Sequence, residues 1–305
     1  MKNVDLNYFP GFTRKCMSFS IDDGVLVYDK KFIDILAPAG FVGSFNLVSD
    51  RLTELTHEEY REFYKGHEIA NHCKYHPLAM ADGVEYQFSN LPFNSQTSSH
   101  DHLHSTGIIG LYHIWRPNGW RFVATDEAYK RFVTECQIEL EAIFGEGNIH
   151  SYVWPFGLQK NEELQRWMTE QGFESIRCGV TTKFDMPEDR NHLYCVARET
   201  NILERAEAYD ALADDGKLKF FLIGFHSIDF ERAEKWGDLQ EFAEKYGNRP
   251  SDFWYATPHQ IFTMDDAIKA AVVTDSGIVN NSDITLYATV DGVRITIAPR
   301  EEYKF

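Results

Sequence analysis

The chain has 305 residues and no apolar run approaching the roughly 20 residues a membrane-spanning helix requires. It is short of positive charge. Lys and Arg number 30 against 47 Asp and Glu, a formal net charge of −17. That balance excludes nucleic acid and anionic membrane as main partners, since both demand basic patches. Its five cysteines, at 16, 73, 136, 178 and 195, form no CxxC pair. The opening Met1-Lys2-Asn3-Val4-Asp5 lacks the basic start and apolar stretch of a secretory signal. Reduced thiols in a cytoplasmic protein are the expectation from these two absences. Internal repeats and low-complexity tracts are also missing, which excludes a solenoid. At 43% apolar, the sequence is not disordered.

What is there is an alternation of strand and helix signals. Residues 16–21 alternate in the strand manner and run into Asp22-Asp23-Gly24, a turn signal. Further strands are predicted over 41–47, 67–71, 149–154, 173–177, 218–225 and 253–257. Helices are predicted over 30–38, 56–64, 129–144, 161–171, 202–212 and 239–246, with a last one opening at Pro258. Thr56-His57-Glu58-Glu59 is a capping-box pattern. About seven strands, several apolar on both faces, mean a parallel α/β sheet. The pattern alone leaves open whether that sheet closes. Residues 77–124 break the rhythm and read as a long polar and aromatic insertion, of the kind that covers a functional site. After about residue 271, two strand signals flank Asp291-Gly292, a hairpin with a two-residue turn. The expected division is a catalytic unit over 1–270 and a small β extension over 271–305.

Polar groups fall at four strand ends: Asp22-Asp23, His72-x-x-x-His76, Trp154-Pro155-Phe156-Gly157 and His226. In parallel α/β folds the carboxyl ends of the strands form the site. Two imidazoles four apart with one carboxylate suit zinc or a similar divalent ion and leave positions open for water and substrate. A second carboxylate beside the first can act as a base, and a lone histidine can act as an acid near neutral pH.

These segments resemble the polysaccharide deacetylases, carbohydrate esterase family 4. Ser18-Phe19-Ser20-Ile21-Asp22-Asp23-Gly24 is similar to that family's Thr-Phe-Asp-Asp-Gly motif, and His72-Cys73-Lys74-Tyr75-His76-Pro77 to its His-Ser/Thr-x-x-His-Pro motif. Trp154-Pro155-Phe156-Gly157 resembles the tail of Arg-x-Pro-Tyr-Gly, and Leu222-Ile223-Gly224-Phe225-His226 the Leu-x-x-His type. The resemblance implies a distorted (β/α)7 barrel, here with a small C-terminal β appendage. It also implies a metal-dependent hydrolase that removes N-acetyl, sometimes O-acetyl, groups from a carbohydrate. By position, Asp23, His72 and His76 would ligate the metal, most simply Zn²⁺. Asp22 would be the base and His226 the acid. Trp154, Pro155 and Phe156 would line the substrate site, with the Phe156 N–H at the oxyanion. Partners are then an N-acetylated glycan or a small amide, with no nucleic acid and no membrane. The alternatives are an allantoinase-like hydrolase of a cyclic amide and a non-catalytic glycan-binding relative.

Three departures from the motifs stand out. Val153 occupies the place of the motif arginine, and Arg177 is a candidate substitute that nothing in the sequence places. Cys73 replaces a small hydroxyl residue and is expected to pack. No counterpart is evident for the family's aspartate that orients the acidic histidine. The insertion carries His100-x-His102-x-His104 and His113, readable as a polar strand or a second metal site, and Trp115, Trp120 and Trp154 are candidates for sugar stacking.

Overall fold

A computed structural model describes residues 2–89, 102–116 and 119–305. Seven parallel strands form its centre: Lys15–Asp22, Ser44–Leu47, Glu68–Asn71, Ile149–Val153, Ser175–Val180, Leu193–Cys195 and Lys219–His226. They pair in chain order from first to sixth, and the seventh lies against the first. The ring closes where the Val196 N–H donates to the Leu222 carbonyl and the Gly224 N–H to that of Ala197. This is the distorted (β/α)7 barrel the sequence led us to expect. The short strand Trp254–Tyr255 adds alongside the start of the first strand.

Burial explains the strand composition. All but the first residue of Lys15–Asp22, and all four residues of Ser44–Leu47 and Glu68–Asn71, are buried. Strands covered on both faces carry apolar residues in near-continuous runs. Between the sheet and the outer helices lies an aromatic core that includes Phe19, Phe32, Phe45, Tyr64, Phe221 and Phe242. The capping box at Thr56 forms as predicted and opens helix His57–Phe63.

The sixth strand was not anticipated, because three residues are too few to show a period. The described part of the insertion holds more strand than its polar composition suggested. Its described strands form a sheet in which Leu111–Arg116 pairs with Gly119–Ala124 and with His102–Ser105. The last of its strands, Gly119–Ala124, pairs with Leu78–Ala79 at the insertion's base. The hairpin around Asp291-Gly292 forms as Leu286–Val290 and Val293–Ile297, and the N-terminal strand Val4–Tyr8 pairs with it. Its apolar face joins helix Pro258–Ala270 in a second core, away from the carboxyl ends of the strands.

Candidate metal centre

Strand register assembles the site. Asp22 and His226 end the first and seventh strands and stand directly opposite each other in the ladder. Asn46, on the second strand, is the register partner of Asp22 on its other side. Its amide donates to Asp22 Oδ1 at 2.7 Å and to Ser20 Oγ at 2.8 Å. Arg177, on the fifth strand, reaches across the barrel and donates to the same Oδ1 of Asp22. Burial alone would raise the Asp22 carboxyl, but the Arg177 guanidinium, with the imidazoles of His72 and His226, holds it well below the usual carboxylate range. Gly224 makes room for this arrangement. A Cβ there would lie 2.0 Å from Cys195 Sγ and 3.0 Å from Arg177 Nη1.

Asp23, His72 and His76 converge, with one ligand atom from each lying within 4.8 Å of the others. The His72 Nδ1–H donates to the Val153 carbonyl at 2.8 Å, which turns a lone pair on Nε2 toward Asp23. Burial lowers both histidines, His76 to about 3, so they are neutral at neutral pH, as metal ligation requires. His72 Nε2 and Asp23 Oδ1 are buried with no hydrogen-bond partner; Asp23 Oδ1 faces Arg51 at 3.1 Å and the Nε2 atoms of His76 and His72 at 3.5 and 3.7 Å. A buried acceptor left without a donor is costly unless a cation satisfies it. Two imidazole nitrogens and one carboxylate oxygen fit a borderline divalent ion with open positions. Among the described residues these three form the one such group, and the insertion's histidines supply none; His100 lies outside the described residues.

His226 Nε2 stands 3.9 Å from Asp23 Oδ2, and its Nδ1 lies 2.8 Å from Asp229 Oδ2. Burial disfavours its charge, but the Asp229 hydrogen bond and the carboxylates of Asp22 and Asp23 outweigh that and raise it to about 9. Asp229 therefore does what no motif residue was seen to do. It sits three residues past His226 in helix Ser227–Arg232, and its carboxylate also accepts from the His226 N–H at 3.4 Å. The His-x-x-Asp spacing at a strand-to-helix junction was the readable signal, a capping-box pattern with an acidic third residue. Beneath this turn, Asp29 accepts from Ser227 and Tyr64 hydroxyls at 2.6 and 2.9 Å, and burial pushes it up to about 7.

The cleft over these residues encloses about 730 Å³. Trp154 and Phe156 both border it, but differently. Trp154 is 3% exposed, with its indole among Tyr129 and Tyr152, so it mainly packs. Phe156 is 49% exposed, with its ring edge-on to His76 at 4.5 Å between centroids. Pro155 lies between them, and its carbonyl accepts from Gln159. Trp120, Arg121 and Phe122 of the insertion form part of the wall. Cys73 is fully buried, its thiol raised by burial, and packs as expected. Four residues at the site hold left-handed backbone without being glycine: Asp23 (φ 83°), Cys73 (64°), His76 (52°) and Phe156 (62°). Such conformations cost on the order of 1–3 kcal/mol each and cluster where function over-determines the backbone.

The sequence profile of the polysaccharide deacetylase family matches residues 10–176, more than half of the chain. The chain belongs to this family. The match spans the first two motifs, the Trp154 turn and the first two residues of the fifth strand, ending at Ile176; Arg177 and His226 lie beyond it. Solved structures of low identity resemble this deacetylase-family fold. An esterase of family CE4 from Streptococcus mutans is 17% identical, covering 80% of this chain and 86% of its own, with a TM-score of 0.46. A family 4 acetyl xylan esterase from Clostridium thermocellum, solved in complex with a cobalt ion, is 15% identical over 83% and 92%, also at 0.46. A peptidoglycan deacetylase of Bacillus subtilis is 15% identical over 84% and 94%, at 0.45. No curated protein matches.

Proposed function

We propose that this protein is a metal-dependent carbohydrate deacetylase that hydrolyses the C–N bond of an N-acetylated sugar. The observation that carries this reading is the opposition of Asp22 and His226 across the centre built by Asp23, His72 and His76.

A divalent ion on Asp23, His72 and His76, zinc being our choice, would supply Lewis acidity toward the acetyl carbonyl and lower the pKa of water. Asp22 takes the proton of the attacking water. Asn46 and Arg177 both engage its Oδ1, which leaves Oδ2 as the acceptor. His226 is the acid. With Nδ1 tied to Asp229, it presents Nε2–H to the departing amine. The backbone N–H of Phe156, whose φ is 62°, would serve the developing oxyanion. A placed acid matters most for an amide, whose leaving group is poor, and this favours N-acetyl over O-acetyl substrates. A base beside the ligand carboxylate has no place in a protein that only binds glycans. Five buried, unpaired thiols suit the reducing compartment in which we place the protein.

The test is acetate release from N-acetylglucosamine oligomers by protein reconstituted with zinc or cobalt. Release that chelation abolishes and D22N suppresses supports the reading. Ammonia or ureide formed from a cyclic amide, with no acetate from any glycan, overturns it.

A further inference from the structure

The cleft runs against the charge of the chain. Acidic residues outnumber basic ones 47 to 30 overall, yet among the described residues five arginines and only two aspartates line the cleft. No lysine and no glutamate is among the described lining residues. Arg177 is committed to Asp22. The other four come from separate segments. Arg51 pairs with Asp23, Arg198 with Glu199 at 3.4 Å, and Arg198 and Arg232 also approach, at 3.8 and 3.3 Å, the Asp229 carboxylate that serves His226.

Arg121 differs from these three. Among the described residues it has no carboxylate partner. Its Nη1 donates to the Trp120 carbonyl at 2.8 Å, and its guanidinium stands 5.4 Å from the centroid of the Phe156 ring. Phe156 in turn abuts His76. The guanidinium is thus braced on the aromatic beside the proposed metal ligands, and its remaining N–H groups have no counter-charge among the described residues. A cleft lined by one sign of charge raises the local concentration of the opposite ion, and a guanidinium fork matches a carboxylate bidentately. An arginine held on an aromatic face keeps that fork in place.

We infer that the cleft selects an anionic glycan, one in which a sugar near the acetylated unit carries a carboxylate or an acidic ester that Arg121 binds, with Arg198 and Arg232 widening the attractive field. This rests on the deacetylase reading and adds the substrate class.

The experiment compares acetate release from an N-acetylglucosamine tetramer, the same tetramer oxidised to carboxylates at its primary alcohols, and its sulfated counterpart. In parallel, calorimetry measures binding of cellotetraose and its oxidised form, which carry no acetyl group and read the anion subsite without turnover. The expected result is kcat/KM at least about tenfold higher for an anionic tetramer, falling steeply from about 0.05 to about 0.5 M salt while the neutral tetramer changes little. R121Q should erase most of that preference, R121K should keep part of it, and R121E should reverse it. The carboxylated and sulfated arms decide which anion is preferred. Equal kcat/KM on neutral and anionic tetramers, or a preference that R121Q leaves intact, overturns the inference. Acetate released from no tetramer, with tight binding of oxidised cellotetraose retained, would sink the deacetylase reading and leave the anion subsite standing.

Discussion

The Arg177 guanidinium donates to Oδ1 of Asp22 from across the barrel, 155 residues away in sequence. The motif arginine that would precede Trp154 is Val153, so the charge that steadies Asp22, the proposed base, comes from the neighbouring strand instead.

Removing that charge has a predictable sign. The folded Asp22 carboxyl is held low, so its contribution to stability is present above the ordinary carboxylate value and lost as pH falls through the lowered one. R177M should raise the acid limb of kcat/KM toward the ordinary carboxylate range and cost about 3–5 kcal/mol of stability, the usual effect of breaking a buried pair. R177K should not restore the profile, because a lysine lacks the planar fork. An acid limb that does not move would show that Arg177 is only a packing residue.

The adjacent carboxylates should separate cleanly. D22N is expected to keep its metal and fold while losing roughly 10²–10⁴-fold in turnover, the range for a positioned base. D23A should lose metal affinity, and excess divalent ion should return part of its activity by mass action. Metal content by elemental analysis, read beside turnover, checks both. An empty site in D22N with a full one in D23A would reverse the roles.

Asp229 holds His226 raised, to about 9, so the acid stays protonated through neutral pH. D229N should therefore bring the alkaline limb of the rate profile down toward an ordinary histidine value near 6.5. The loss should be larger on amides than on activated esters, whose leaving groups need little protonation. An unchanged alkaline limb would remove His226 from the acid role.

Asp29 gives a prediction about folding alone. Its carboxyl is raised to about 7 in the fold, so the unfolded chain gives up that proton first as pH rises. Stability should then fall between about pH 4 and pH 7 and level off above, by on the order of a few kcal/mol. D29N keeps one acceptor oxygen, turns the other partner's hydroxyl into an acceptor for its Nδ2–H, and should flatten that slope. Chemical denaturation across this range measures it, and an equal slope in wild type and D29N would contradict the assignment.

Much of the barrel and the heart of the site could be read from the sequence because their signals are local. Residues 16–21 alternate, Thr56 to Glu59 cap, and Asp22-Asp23 and His72-x-x-x-His76 hold their chemistry within a few positions. What escaped depends on partners distant in the chain. Arg177 meets Asp22 only through the barrel's curvature, and strand Val4–Tyr8 declares itself only by pairing with Leu286–Val290. Strand Leu193–Cys195 is too short to carry a period. The insertion's sheet is set by cross-strand pairs such as Trp115 with Trp120, which a polar composition conceals. Asp229 was within reach, since its spacing from His226 is local.

The left-handed backbone at Asp23, Cys73, His76 and Phe156 bears on anyone who would engineer this protein for heat. A redesign that scores folding alone would rewrite these positions as glycine first, because glycine takes that conformation without steric cost. Each such change would remove a proposed metal ligand, a packed thiol or the exposed ring beneath Arg121. A thermostability campaign must therefore forbid these four changes, while Phe12, Glu234 and Arg300, left-handed too, stand outside the site.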